Sequence, residues 1–133
     1  MDILPIRLNP GDDLRRSLED RVRTGGHPSA FVISGIGSLG DARLRYAGEE
    51  AESIVAGPLE IVSIAGSVTR DGAHLHMSVA DSQGRVSGGH AAYGNIVRTT
   101  MEAVLVLLPD WSLSREFDAA TGFKELFIRK AQS

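Results

Sequence analysis

The 133-residue sequence contains no cysteine. A disulfide framework, a thiolate-bound zinc, an iron–sulfur cluster and a thiol nucleophile are therefore excluded. Any transition-metal site in this chain has to rest on imidazole, with carboxylate or water completing it. Excess positive charge is also missing: 14 Lys plus Arg stand against 17 Asp plus Glu, a formal charge of −3. That balance argues against a large phosphate-neutralising surface, though not against a local basic patch. No apolar run approaches the roughly 18 residues of a membrane-spanning helix. The start, Met1 to Arg7, lacks the basic segment and long apolar core of a secretory signal. The expected setting is the cytoplasm, with no membrane partner.

What is present suits one domain over residues 1–133. Hydrophobic residues at 42% and charged residues at 23% are near globular averages, and the length supports a single core. Ile3 to Leu8 reads as a strand interrupted by Pro5, hence at a sheet edge. Asn9-Pro10-Gly11 is a turn, and Asp12 or Asp13 can cap a helix in which Leu14, Leu18 and Val22 form one apolar stripe. Gly25-Gly26 ends it. Arg15, Arg16, Arg21 and Arg23 alternate with Glu19 and Asp20, the pattern of a solvated, ion-paired face. Strands are expected at Ser29–Ser34, Ala42–Tyr46, Leu59–Thr69, Ala73–Asp81 and Arg85–Tyr93, with a hairpin turn at Asp71-Gly72. Ile96–Leu108 also fits a helical stripe, but its β-branched residues and Pro109 favour a strand. Trp111–Phe117 and Glu125–Arg129 complete the set. The expected fold class is α+β: a mainly antiparallel sheet with one N-terminal amphipathic helix packed on it.

Gly35-Ile36-Gly37-Ser38-Leu39-Gly40 matches G-x-G-x-x-G after a strand, and Glu60 follows about 20 residues later. Dinucleotide binding needs more: the glycines must open a helix whose N-terminus faces the pyrophosphate. Here residues 41–46 alternate with a period of two instead. The segment is read as a glycine-rich strand connection.

Three of the four histidines lie close together in sequence. His74-Leu75-His76 on a strand puts two imidazoles on one face, about 6.5–7 Å apart at Cα. Such a pair is more often surface decoration than a ligand set, because zinc wants three or four donors. His90 is the third candidate, and the turn decides whether it joins. A two-residue turn at Ser82-Gln83 sets His90 opposite Leu75, on the wrong face. A three-residue loop Ser82-Gln83-Gly84 pairs Asp81 with Arg85 and sets His90 opposite His76. That loop wants its last residue left-handed, and the residue there is glycine. Gly88-Gly89 can add a bulge that shifts the register again.

Carboxylates are the natural fourth ligand or general base. Glu60 shares the face of His74 and His76 if the hairpin at Asp71-Gly72 has a three-residue loop, and not if its turn has two. Glu102 is the one charge in the apolar run 101–106, a position that calls for a partner or a site, or for an edge strand facing water. His27, between Gly26 and Pro28, is a loop residue with no evident partner.

The ordered motifs Pro10-Gly11-Asp12-Asp13-Leu14, Gly35-Ile36-Gly37-Ser38, Gly57 to Gly66, His74-Leu75-His76, Gly88-Gly89-His90 and Thr99-Thr100-Met101-Glu102 resemble the PPC (plants and prokaryotes conserved) domain across nearly the whole chain. The resemblance implies an α+β fold on an antiparallel sheet, commonly a homotrimer. Prokaryotic members stand alone and carry a DNA-binding label; plant members join the domain to an AT-hook. The fold is similar to that of acetolactate decarboxylase, whose zinc is held by an H-x-H pair and a later histidine. Carried over by motif, His74, His76 and His90 match that trio, with zinc as the expected metal.

The departures are specific. There is no Arg-Gly-Arg-Pro, so no AT-hook clamp is inherited, and no basic cluster supports direct DNA binding. The chain is much shorter than the decarboxylase. Three classes of function follow: a His-lined metal or small-ligand module, a small metal-dependent enzyme on a carbonyl-type substrate with Glu60 or Glu102 handling protons, and a DNA-associated protein acting through its oligomer or partners.

Overall fold

Strong alternation of apolar and polar residues, broken by glycine-containing turns, commits most of the chain to antiparallel strands. The structure is a computed structural model describing residues 2–26 and 29–132; His27 lies outside the described residues. Its elements are β1 (Asp2–Leu8), α1 (Leu14–Thr24), β2 (Ala30–Leu39), β3 (Ala42–Arg45), β4 (Ser53–Val55), β5 (Leu59–Thr69), β6 (Gly72–Ala80), β7 (Val86–Ala91), β8 (Val97–Leu107), β9 (Trp111–Asp118) and β10 (Phe123–Lys130). Eight strands form one sheet in the order β1-β8-β2-β5-β6-β7-β3-β4, and β9 and β10 form a separate two-stranded sheet. Every strand pair is antiparallel. The fold class is α+β, one helix on a mainly antiparallel sheet, as expected. No helix among the described residues is long and apolar enough to cross a membrane.

Helix α1 lies on the inner face of the sheet. Leu14, Leu18 and Val22 are fully buried against inward residues such as Leu75, Met77, Met101 and Leu105. Asp13 caps the helix, its side chain accepting from Arg16 N. Burying each of these apolar side chains contributes about 1.5–3 kcal/mol, which makes the stripe, not helix propensity, the reason α1 stays folded.

Several local expectations need correction. The glycine-rich segment is not a connection: β2 runs on to Leu39 and pairs with β5 and β8 along its length. A Cβ on Gly37 would lie 2.6 Å from the Thr100 carbonyl oxygen, so this glycine serves close approach of β8 rather than a phosphate. The β5–β6 turn is Arg70-Asp71, with Thr69 paired to Gly72, one residue earlier than expected. Strand β4 had no sequence signal strong enough to find it. Glu19 is not on a solvated face. It is 8% exposed, and its carboxylate accepts from Ala73 N at 2.8 Å and from the Tyr93 hydroxyl at 2.8 Å. It ties α1 to the first residues of β6, and Arg15 Nε lies 3.6 Å from its Oε2.

Removing that carboxylate leaves a buried amide without an acceptor. Glu19→Ala is expected to cost about 2–3 kcal/mol, and Glu19→Gln, which keeps one acceptor oxygen, clearly less. Equilibrium denaturation of the three proteins checks the order.

Candidate metal centre

Along β6, Ala73, Leu75, Met77 and Val79 point into the core and are buried. His74 and His76 therefore share the outer face with Ser78 and Ala80. The β6–β7 turn is the three-residue loop that the sequence favours. Asp81 N donates to the Arg85 carbonyl at 3.0 Å, Gly84 N donates to the Asp81 carbonyl at 2.9 Å, and Gly84 is left-handed with φ +79°. The Asp81 carboxylate accepts from Gln83 N, Arg85 N and Arg85 Nε, and these bonds, that to the Arg85 side chain foremost, hold it below the usual carboxylate range. His76 then pairs directly with His90. On the other side of β7, His90 pairs with Arg45 of β3. Close approach of β5 also matters: a Cβ on Gly66 would lie 2.0 Å from the His74 carbonyl oxygen.

The three rings meet. Centroids are 5.0 Å apart for His74–His76, 5.3 Å for His74–His90 and 4.5 Å for His76–His90. One nitrogen from each ring lies within 4.8 Å of the other two. Donors around one tetrahedral zinc would sit about 3.3 Å apart at bond lengths of roughly 2.0–2.1 Å. Small side-chain rotations of exposed or half-buried rings span the difference, so the set fits such an ion.

The surroundings favour the neutral form of two of the imidazoles, His74 and His90. Burial, then Arg115, then the neighbouring imidazoles and Arg15 push His74 down to about 4. His90 is lowered by burial first and by Arg45 next. Arg115 comes from β9: its Nη1 lies 3.3 Å from His74 Nδ1, and its Nη2 donates to the Lys124 carbonyl at 2.8 Å. Its backbone N donates to Asp71 Oδ2, and Leu113 N donates to Ser29 Oγ, both at 2.9 Å, which docks the hairpin beside the site. An open cleft of about 750 Å³ runs between the imidazoles, β3 and the hairpin.

The chain matches the Plants and Prokaryotes Conserved (PCC) domain over residues 1–109. It belongs to that family. A hypothetical protein from Salmonella enterica has a structure with TM-score 0.94 and 37% identity, covering 98% of this chain and 95% of that one. The structure of a metal-containing protein from Archaeoglobus fulgidus aligns with TM-score 0.81 and 28% identity, over 96% of this chain and 94% of its own. Bifunctional protein GlmU of a Synechococcus strain is 42% identical over 129 residues, 97% of this chain. The chain spans about a fifth of the length of the curated relatives it matches.

Within this PCC domain the two expected carboxylates lie elsewhere. The two-residue β5–β6 turn alone would turn Glu60 inward, but a register shift between Ile61 and Ser63 returns it to the outer face, opposite Ala80. Ala80 is four residues along β6 from His76, about 13 Å at strand rise. Glu102, on β8, pairs with Ile36 and with Arg7. The two glutamates share a recess of about 400 Å³ with Ile36, Val62 and Thr99. Sequence reasoning missed Arg115, Arg45, Lys124 and Glu19. Only the chance of strand order brings the first three to the imidazoles, and no local pattern marks them.

A histidine lowered by folding binds fewer protons in the native than in the unfolded chain, so its contribution to stability is intact above the unfolded value near 6.5 and is lost as pH falls toward 4. Metal-free protein is expected to lose thermal stability over that window, and His74→Gln to flatten the loss. Melting temperatures at half-unit steps from pH 7 to 4 check both.

Proposed function

We propose that this PCC-domain chain binds a divalent transition metal, zinc, through His74, His76 and His90, and acts as a homotrimer in the cytoplasm. The observation that carries the metal reading is the convergence of three imidazoles on the outer sheet face. The metal-containing relative supports it. His74, His76 and His90 would hold the zinc, which would supply Lewis acidity toward a carbonyl oxygen or water. The chain's own part is to favour the neutral form of His74 and His90, to hold His90 against His76 by strand pairing, and to frame an open cleft for a small molecule. Glu60 and Glu102 remain the proton-handling groups of the enzymatic reading; in one protomer they face a separate recess, so this role requires that recess to take part in the reaction.

Protein purified without a histidine tag and loaded with zinc should retain about one ion per chain after dialysis, measured by elemental analysis. His74→Ala, His76→Ala and His90→Ala should each weaken retention by about tenfold or more. Equal zinc content in the wild type and all three variants would rule out the site.

The oligomer reading rests on the same outer face. Ile33, Ile36 and Val62 are 57%, 54% and 53% exposed, and they line one shallow recess that reaches His76. A contiguous apolar strip on the open face of a sheet is the surface a second copy would cover. Light scattering should give three times the 14.2 kDa of one chain, and Ile36→Glu should lower that mass. A monomeric wild type would remove the proposal.

A further inference from the structure

Four cations stand around the imidazoles on three different elements: Arg15 on α1, Arg45 on β3, and Arg115 and Lys124 on the β9–β10 hairpin. All four line a recess of about 330 Å³ together with His74 and His90. The acids on the same walls, Glu50, Glu52 and Asp71, form a salt bridge with none of them among the described residues. Asp71 spends its Oδ2 on a backbone amide. Arg15 has Glu19 beside it, yet its buried Nε makes no hydrogen bond. Arg45 and Arg115 donate to backbone carbonyls, at Glu49 and Lys124, and Arg115 otherwise reaches only an imidazole. Guanidinium groups held by carbonyl oxygens keep their full charge and several free N–H donors, the arrangement that receives an oxyanion.

We infer that this recess is an oxyanion subsite for a small carboxylate- or phosphate-type ligand, with Arg115, Lys124 and Arg45 as its charge. The hairpin supplying Arg115 and Lys124 lies beyond residues 1–109, the part that matches the family. Two of the three charges thus come from outside the part that the family model matches, and Arg45 from within it.

Arg115 also couples the subsite to the three-histidine centre; this coupling rests on the proposed metal reading. Arginine can only donate, so Nδ1 of His74 is the acceptor and its proton is on Nε2. Coordination through Nδ1 would displace Arg115. Coordination through Nε2 would move the proton to Nδ1, which arginine cannot approach as a donor. Either way Nη1 is released toward the recess, and by reciprocity metal and anion raise each other's affinity.

The test is calorimetric titration of the full chain with malonate and with sulfate, metal-free and zinc-loaded, for the wild type, Arg115→Gln and Lys124→Gln. Zinc content is measured in parallel, and circular dichroism verifies folding. Wild type should bind at least one probe, malonate marking a carboxylate ligand and sulfate a phosphate-like one. Arg115→Gln should weaken it about 10- to 100-fold, the loss of a charge-assisted hydrogen bond. Zinc should tighten it. Lys124, whose exposed side chain holds no hydrogen bond among the described residues, keeps the test available if Arg115→Gln fails to fold, and its substitution should weaken binding severalfold. No binding of either probe to either form, or equal binding by wild type and both variants, overturns the subsite even where zinc is retained. Arg115-dependent binding to a protein that retains no zinc upholds the subsite and rejects the metal reading. Equal affinity with and without zinc in a protein that retains it upholds the subsite and rejects the coupling.

Discussion

The pairing of His76 with His90 across β6 and β7 is the contact on which the candidate centre depends. A shift of one residue in that ladder would send His90 to the core face, because successive strand side chains alternate. The register is held by a turn of few atoms: Gly84 in the left-handed region, two backbone hydrogen bonds, and an aspartate that gathers three donors. Position in the sheet completes it. With β5 on one side and β3 on the other, neither histidine strand is an edge, so neither is free to slip.

Around that register the chain gathers positive charge, although its overall charge is negative. Arg115, Arg45 and Arg15 all act on His74 or His90, and burial acts in the same direction. A cation-rich site in an acidic protein is costly unless something is gained from it. Favouring the neutral form of His74 and His90 is one gain, since only the neutral ring offers a lone pair. Glu19 belongs to the same design at one remove: by accepting from Ala73 N it anchors the strand residue next to His74 to the helix.

Much of this was legible in the sequence for physical reasons. The α1 stripe, the β-branched run of β8 and the edge position of Pro5 follow from periodicity and from the missing proline N–H. The Ser82-Gln83-Gly84 loop was readable because left-handed backbone selects glycine. The fate of Glu60 was not. It hinged on a turn one residue away from its expected place and on a bulge at 61–63, two shifts that cancel, and neither leaves a mark on composition. Glu19 was misread because a helical carboxylate flanked by arginines has the same local pattern whether it faces water or a buried amide.

By itself the sequence determined the chemistry available here: imidazole and carboxylate without thiol, α+β, with family motifs in order along the chain. Local rules sufficed because turn geometry, strand alternation and residue inventory are set within a few residues. Tertiary structure alone decided which groups share a site. Arg115 meets His74 across 41 residues, and Glu60 and Glu102 come together in a recess away from both. Those neighbours are set by strand order and hairpin docking, and contacts between residues distant in the chain depend on how the whole sheet closes.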